Sequence, residues 1–313
     1  MYRRYTPSGI CGNMSIYEIH DPSFARLVLP NAELETLGEG FRWLEGPVWF
    51  ADVKMLLFSD IPNNRVLRWV EGGVSIFRAP SGFANGHARD MQGRLISCTH
   101  QTRCITRTEL DGSVTLLADR YQGKKLNSPN DVIVKRDGSI WFTDPHYGIN
   151  TDYEGGKQTP ELPANVYRLD PLSLELTVVA DDFSGPNGLA FSPDEQRLYI
   201  CESGRQFDET PARYIRVFNV KADGQRLDAG KIFYKIEPGF ADGIACDEYE
   251  NIWSSAGDGV HCIARDGTLL GKILTGAPVS NLAFGGRHRS RLFICAGTRL
   301  CAIYTNTRGA AVP

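Results

Sequence analysis

Six short segments of this chain each set an oxygen-bearing side chain ahead of a small apolar run. They are Glu45-Gly-Pro-Val-Trp49, Asn85-Gly-His-Ala88, Asn130-Asp-Val-Ile133, Asn187-Gly-Leu-Ala190, Asp242-Gly-Ile-Ala245 and Ser280-Asn-Leu-Ala283. Two of the leading residues are carboxylates (Glu45, Asp242) and three are amides (Asn85, Asn130, Asn187). Brought to one point, such groups make a site for a hard divalent cation, since calcium takes about 6 to 8 oxygens at about 2.3–2.6 Å, amide carbonyls included. Two carboxylates balance a dication, and neutral amides fill the shell without adding repulsion. No thiol or imidazole leads any of the six segments, which argues against zinc as the preferred ion. Asn-Gly and Asp-Gly are also common turn dipeptides, so the chemistry rests on the six falling in one register.

A repeat supplies that register. Each segment opens a first strand, followed by a turn (Gln92-Gly93, Asp137-Gly138 and Pro193-Asp194 are the clearest). A second strand follows each turn: Met55–Asp60, Arg94–Thr99, Ser139–Asp144, Arg197–Glu202, Asn251–Ala256 and Arg291–Ala296. These runs are rich in aromatic and β-branched residues. Third and fourth strands follow in most units. Four short strands recurring every roughly 40 to 57 residues are the signature of a propeller. The fold class is therefore all-β: a six-bladed β-propeller with four antiparallel strands per blade. The sixth unit lacks a fourth strand, and an unpaired edge is a liability. Glu33–Leu37 alternates correctly, so this N-terminal strand is expected to close the last blade. Residues 1–32 read as an N-terminal arm with a short helix around Asp21–Leu27, and 33–313 as the propeller domain. Asn150–Pro163 and Gly204–Arg213 read as inserted surface loops. In such a ring the innermost strands line a central channel, and their leading ends share one mouth.

Composition narrows the partners. A net charge of −3 gives no field for nucleic acid or an anionic membrane. No apolar run approaches the roughly 20 residues of a membrane span. The basic start Met1–Tyr5 is not followed by an apolar stretch of the kind a signal peptide carries, so a cytoplasmic protein is expected. A monomer or weak homo-oligomer is expected. Cys98, Cys201, Cys246, Cys262, Cys295 and Cys301 lie in apolar runs and read as buried small hydrophobes of a reducing compartment. Gly-x-Ser-x-Gly, His-Glu-x-x-His and a phosphate-binding glycine loop are missing, which sets aside the common serine hydrolases, zincins and P-loop enzymes.

Glu45–Trp49, Ser128-Pro-Asn-Asp131, Trp141-Phe-Thr-Asp-Pro-His-Tyr-Gly148, Pro186–Asp194 and Ala241–Ala245 together resemble the SMP-30/gluconolactonase family, the regucalcin-like lactonases. The resemblance runs from Glu33 to Tyr304. Trp141–Pro145 and Arg107-Thr-Glu-Leu-Asp-Gly112 are most similar to its microbial gluconolactonase branch. It implies one catalytic divalent cation in the channel, calcium first, with zinc, magnesium or manganese as alternatives. Glu45, Asn187 and Asp242 would hold the cation, with Asn130 close to ion and substrate. The implied reaction is hydrolysis of a sugar lactone, of the glucono-1,5-lactone type, to its aldonic acid, with Asp242 as general base.

Asn85, Asn130, His100, His146 and Tyr147 are the candidates for holding substrate hydroxyls. His87 and His261 read as structural, Asp131 and Asp144 as partners of loop backbone, and Trp43 and Trp49 as packing between blades. One departure stands out: the chain has Cys98-Thr-His100 where relatives often carry Cys-Glu-His, which unsettles substrate contacts at that wall. Two other readings use the same residues. One is an organophosphate or aryl-ester hydrolase on the same metal site. The other is a non-catalytic propeller that binds calcium or a partner protein.

Overall fold

A computed structural model describes residues 16–204 and 213–311. The expected loop at 204–213 lies, apart from its two ends, outside the described residues. Six four-stranded antiparallel sheets form the blades, each ordered from the channel outward. Their innermost strands are Leu44–Phe50, Ala84–Arg89, Val132–Val134, Pro186–Phe191, Ile244–Cys246 and Val279–Gly285. The second strands are Met55–Asp60, Leu95–Thr99, Ile140–Asp144, Arg197–Glu202, Ile252–Ser255 and Arg291–Ala296.

The second strands read as near-continuous apolar runs because both of their faces are covered by neighbouring blades. Leu95–Thr99 and Ile140–Asp144 are buried at every residue. Burial falls outward: Gly73–Arg78, the outermost strand of blade one, is exposed at four of its six positions. The core is accordingly six apolar seams rather than one centre. Leu44, Phe58 and Trp69 of blade one meet Phe293 and Cys295 of blade six. At the opposite seam, Trp141 and Val166 of blade three meet Leu198 and Phe218 of blade four.

The ring closes as expected. Glu35–Glu39 pairs antiparallel with Arg299–Tyr304, Thr36 opposite Cys301, so the last blade takes its outer strand from the start of the chain. The described part of the arm is bound to the propeller. Tyr17–Ile19 adds a fifth strand to blade five, pairing with Leu269–Leu274. A 3-10 turn, Pro22–Arg26, follows; the Asp21 carboxylate caps it by accepting from Ser23 N at 2.8 Å. Its Phe24 is fully buried, 6.1 Å from the Trp253 ring, a burial that stabilises by about 1.5–3 kcal/mol. The α-helix among the described residues is the single turn Tyr147–Asn150, and no helix is long and apolar enough to cross a membrane. The seven described cysteines are all buried and unpaired.

Candidate active site

The blade starts are shaped by close approach between neighbours. A Cβ added to Gly46 would overlap the Asn85 carbonyl, and one on Gly86 the Asn130 carbonyl. One on Gly188 would overlap the Asp242 carbonyl, and one on Gly243 the Asn281 side chain. Gly86 N–H donates to Asn130 O at 2.8 Å and Gly188 N–H to Asp242 O at 2.9 Å. Where a glycine follows the polar residue, at Gly46, Gly86, Gly188 and Gly243, it is therefore where the next blade packs against this one, and these Asn-Gly and Asp-Gly pairs are not turns. Asn130 and Asp242 precede their strands as expected. Glu45, Asn85 and Asn187 instead lie inside theirs, at β-bulges. A bulge at this point re-aims a side chain out of the sheet's alternation.

The bulge of blade six spans Val279 to Asn281, and it changes the sixth member of the ring. Ser280 donates its hydroxyl to the Leu44 and Cys295 carbonyls, turned away from the channel. Asn281 takes the inward role: its Nδ2 donates to Glu45 Oε2 at 3.0 Å, and its Oδ1 accepts from Leu282 N.

Glu45, Asn85, Asn130, Asn187 and Asp242 line one cavity of about 200 Å³ at the channel mouth, together with Tyr147. Tyr147 also donates its hydroxyl to Gly185 O at 2.8 Å. The remaining two hydroxyl-binding candidates are not in the lining. His100 is fully buried behind Asn85, whose Nδ2 lies 3.2 Å from His100 Nε2. His146 sets its Nε2 3.2 Å from Leu162 O.

Trp43, expected to pack between blades, lines the cavity. Trp49 does lie in a seam, stacked 5.3 Å from Phe293 of blade six. His87 bonds Ser59 and Ser97, and His261 bonds Asp258. Asp131 accepts from Val132 N and Leu189 N, and Asp144 from Asn127 N.

The insertion at 150–163 departs from the expected surface loop. Its first residues, Asn150, Thr151, Tyr153 and Glu154, form a wall of the cavity. It arches from blade three over blade two, where His100 Nδ1 lies 3.2 Å from Glu154 O. It reaches blade one, where the Arg42 guanidinium sits 5.9 Å from the Tyr153 ring. Sequence reading missed this wall, and the pairing Tyr153-Glu154 in a blade-three insertion was its one available signal.

The unsettled position Thr99 also finds its explanation. It ends a second strand, as do Asp60, Asp144 and Glu202, and those three carboxylates hold the incoming loop. Asp60 accepts from Arg42 N, Asp144 from Asn127 N, and Glu202 from Ser184 N, Gly185 N and Gly204 N. Thr99 bonds Thr102 at 2.6 Å and the Cys104 carbonyl instead. This position serves loop anchoring and does not face the cavity.

Three carboxyls share the cavity, and none of its described lining residues is Lys, Arg or His. Burial and the nearby Asp242 push the Glu45 carboxyl well above the usual range. Burial and the nearby Glu154 do the same to Asp242, partly offset by a hydrogen bond from Asn187. Burial pushes Glu154 up to about 7, and it pushes His100 down to about 4, so that its ring is neutral. Buried carboxyls that repel one another without a cation are costly to ionise. A divalent ion would relieve that cost. The donor set of Glu45, Asp242 and neutral amides is also the hard-oxygen set such an ion takes, so the residues present fit the group.

A six-bladed propeller with an oxygen-lined cavity at its channel mouth is the class that fold and site define. The chain matches the SMP-30/Gluconolactonase/LRE-like region over residues 43–298, and it belongs to that family. A gluconolactonase of Zymomonas mobilis is 34% identical over 302 residues, covering 88% of this chain and 82% of the relative. The solved structure of a gluconolactonase from Xanthomonas campestris is 40% identical, with a TM-score of 0.86 over 92% of this chain and 94% of that one. Regucalcin from Agrobacterium tumefaciens, a calcium-binding protein, is 18% identical with a TM-score of 0.73 over 89% of this chain and 95% of its own. That likeness is one of fold.

Proposed function

We propose that the protein hydrolyses a sugar lactone to its aldonic acid at the mouth cavity, with a divalent cation, calcium first, bound there. The two relatives named gluconolactonase support the reaction class. The observation that carries the site is the meeting of Glu45, Asn130, Asn187 and Asp242 in one cavity, although 197 positions (242 − 45) separate the first from the last. These four residues would hold the cation, which supplies charge stabilisation to an oxyanion when bound.

Asp242 is the general base of this reading. Its carboxyl lines the cavity, and its backbone N–H is fixed by Ser255 Oγ at 2.8 Å. It removes a proton from the water that attacks the lactone carbonyl, then returns it to the ring oxygen as the ring opens. Asn187 keeps the carboxylate oriented by donating to it. Asn85, backed by His100, and Asn130 face the substrate, while Tyr147 fills the wall beside them. The leaving oxygen stays tethered to the product, so no covalent intermediate is needed.

Acid release from a panel of lactones, aryl esters and phosphotriesters in a pH-stat, with and without EDTA, tests this reading. Turnover of sugar lactones that EDTA abolishes and calcium restores is expected. Turnover confined to the esters or phosphotriesters would replace the substrate class, and lactone turnover unchanged by EDTA would remove the cation from the chemistry.

A further inference from the structure

We infer that the lower half of the central channel, beneath the mouth cavity, is a second binding site. It takes a medium-chain carboxylate, with the alkyl tail inside the channel and the head at the face opposite the mouth. This site is separate from the reaction proposed at the mouth and does not depend on it.

A second cavity, of about 280 Å³, follows the innermost strands toward that lower face. Its upper end is lined by Gly46, Asp131 and Asn281, the residues that follow Glu45, Asn130 and Ser280. Below them every blade contributes one aliphatic side chain: Val48, Ala88, Val132, Leu189, Ile244 and Leu282. Gly46 and Ala51 both line the cavity, so at a strand rise of about 3.4 Å per residue the bore is about 17 Å long. The end of the chain floors it. Gly309 N–H donates to Arg289 O and Ala310 N–H to Cys246 O, both at 2.8 Å. Arg136 Nη2 donates to Ala311 O at 3.4 Å. This tail therefore crosses the lower mouth from blade six to blades five and three.

An aliphatic bore offers water few partners, and an apolar cavity of about 150 Å³ already stays dry and takes up benzene. This one is nearly twice as large. At about 30 Å³ for a water-sized group it has room for about nine, which suits a chain of about eight carbons. A sugar would lose its hydration there without gaining hydrogen bonds in return.

The charged residues of the lining decide the head group. Arg89 is paired with Asp52 at 2.6 Å. Asp131 accepts from Val132 N and Leu189 N. Glu195 accepts from Arg136 N at 2.9 Å and lies 3.8 Å from Lys135 Nζ. Arg289, half-buried at the lower mouth, makes no ion pair among the described residues. An unpaired guanidinium beside an apolar bore matches a carboxylate carried on an alkyl chain.

The test is calorimetric titration with the straight-chain series from butanoate to dodecanoate, on calcium-loaded and on chelated protein. One octanoate per chain is expected, bound equally with and without calcium. Affinity is expected to rise about fourfold per added methylene and to level off past about eight carbons, when the bore is full. Ala245→Leu and Ala283→Leu fill the bore at half-buried positions and are each expected to weaken octanoate about tenfold or more. Arg289→Ala is expected to weaken octanoate about tenfold and to leave 1-octanol unaffected. If a leucine variant does not fold, the chain-length series and Arg289→Ala still decide. No saturable binding, equal affinity along the series, or octanoate bound as tightly by the folded leucine variants would overturn the inference. So would wild-type octanoate affinity in Arg289→Ala, or binding that needs calcium or is displaced by glucono-1,5-lactone, which would put the carboxylate at the mouth.

Discussion

Asn281 Nδ2 donates to Glu45 Oε2 at 3.0 Å, across the seam where the sixth blade meets the first. The pair joins residues 236 positions apart in sequence. Glu45 Oε2 also accepts from Gly46 N at 3.0 Å, so one oxygen of this carboxylate is fixed by two donors. Asn281 thus orients a proposed cation ligand without being one. Loss of an orienting partner typically weakens metal affinity about 10- to 100-fold. Asn281→Ala is expected to weaken calcium binding by that order, measured by calorimetry, and to cost about 1–3 kcal/mol of folding stability through the partner left unsatisfied. Equal calcium affinity in the variant would show that Glu45 needs no such support.

The glycines that follow Asn187 and Asp242 are steric requirements of the ring. Gly188 and Gly243 have ordinary backbone angles, so alanine there is opposed by contact and not by conformation. Gly188→Ala and Gly243→Ala are each expected to destabilise by about 1–3 kcal/mol, the usual cost of overpacking. The check is a lower denaturation midpoint at constant slope. A midpoint equal to wild type would mean that the blades can part without cost.

Stability of the chelated protein is expected to fall as pH rises from 6.5 to about 8. Burial pushes Asp131, Asp144 and Glu154 up to about 7, with Glu45 and Asp242 higher than ordinary carboxylates too. The unfolded carboxyls lose their protons near about 4, so above that the folded state holds more protons and stability declines with pH. Buried histidines act oppositely at lower pH. His87 and His100 are pushed down to about 3 and about 4, so stability rises with pH while the unfolded imidazoles, near about 6.5, still hold protons. At pH 6.5 the unfolded imidazoles are still about half protonated, so a small part of that gain runs on to about pH 7.5, and the larger carboxyl decline outweighs it. Chemical denaturation in EDTA at pH 6.5 and 8 measures it, and calcium is expected to offset part of the loss. Stability that rises between the two pH values in EDTA would contradict the burial of these acids.

Much of this molecule was legible in the chain because a repeat tests itself. Six second strands such as Ile140–Asp144 recur with the same apolar run, and the short last unit pointed to Glu33–Leu37 as its missing strand, which forms two residues further on as Glu35–Glu39. The blade-start register brought Glu45, Asn85, Asn130, Asn187 and Asp242 together on spacing alone. It failed at Ser280, where a one-residue bulge hands the inward position to Asn281, and no propensity marks a bulge of that kind. His100 and His146 were chosen by residue type. Which way a ring turns depends on partners such as the Glu154 and Leu162 carbonyls, which are distant in sequence. The insertion over the mouth was unreadable for the same reason: an irregular segment has no period, and its path is set by contacts with Arg42 and His100 on other blades.

Calorimetric titration of the chelator-stripped protein with calcium, beside Glu45→Gln, Asn187→Ala and Asp242→Asn, reaches the core of the account. One ion per chain is predicted for wild type, with binding weakened about tenfold or more in each variant, as for loss of a direct ligand or its charge. Binding of equal strength in wild type and all three variants, or no binding at all, would contradict a cation held where these blade starts meet.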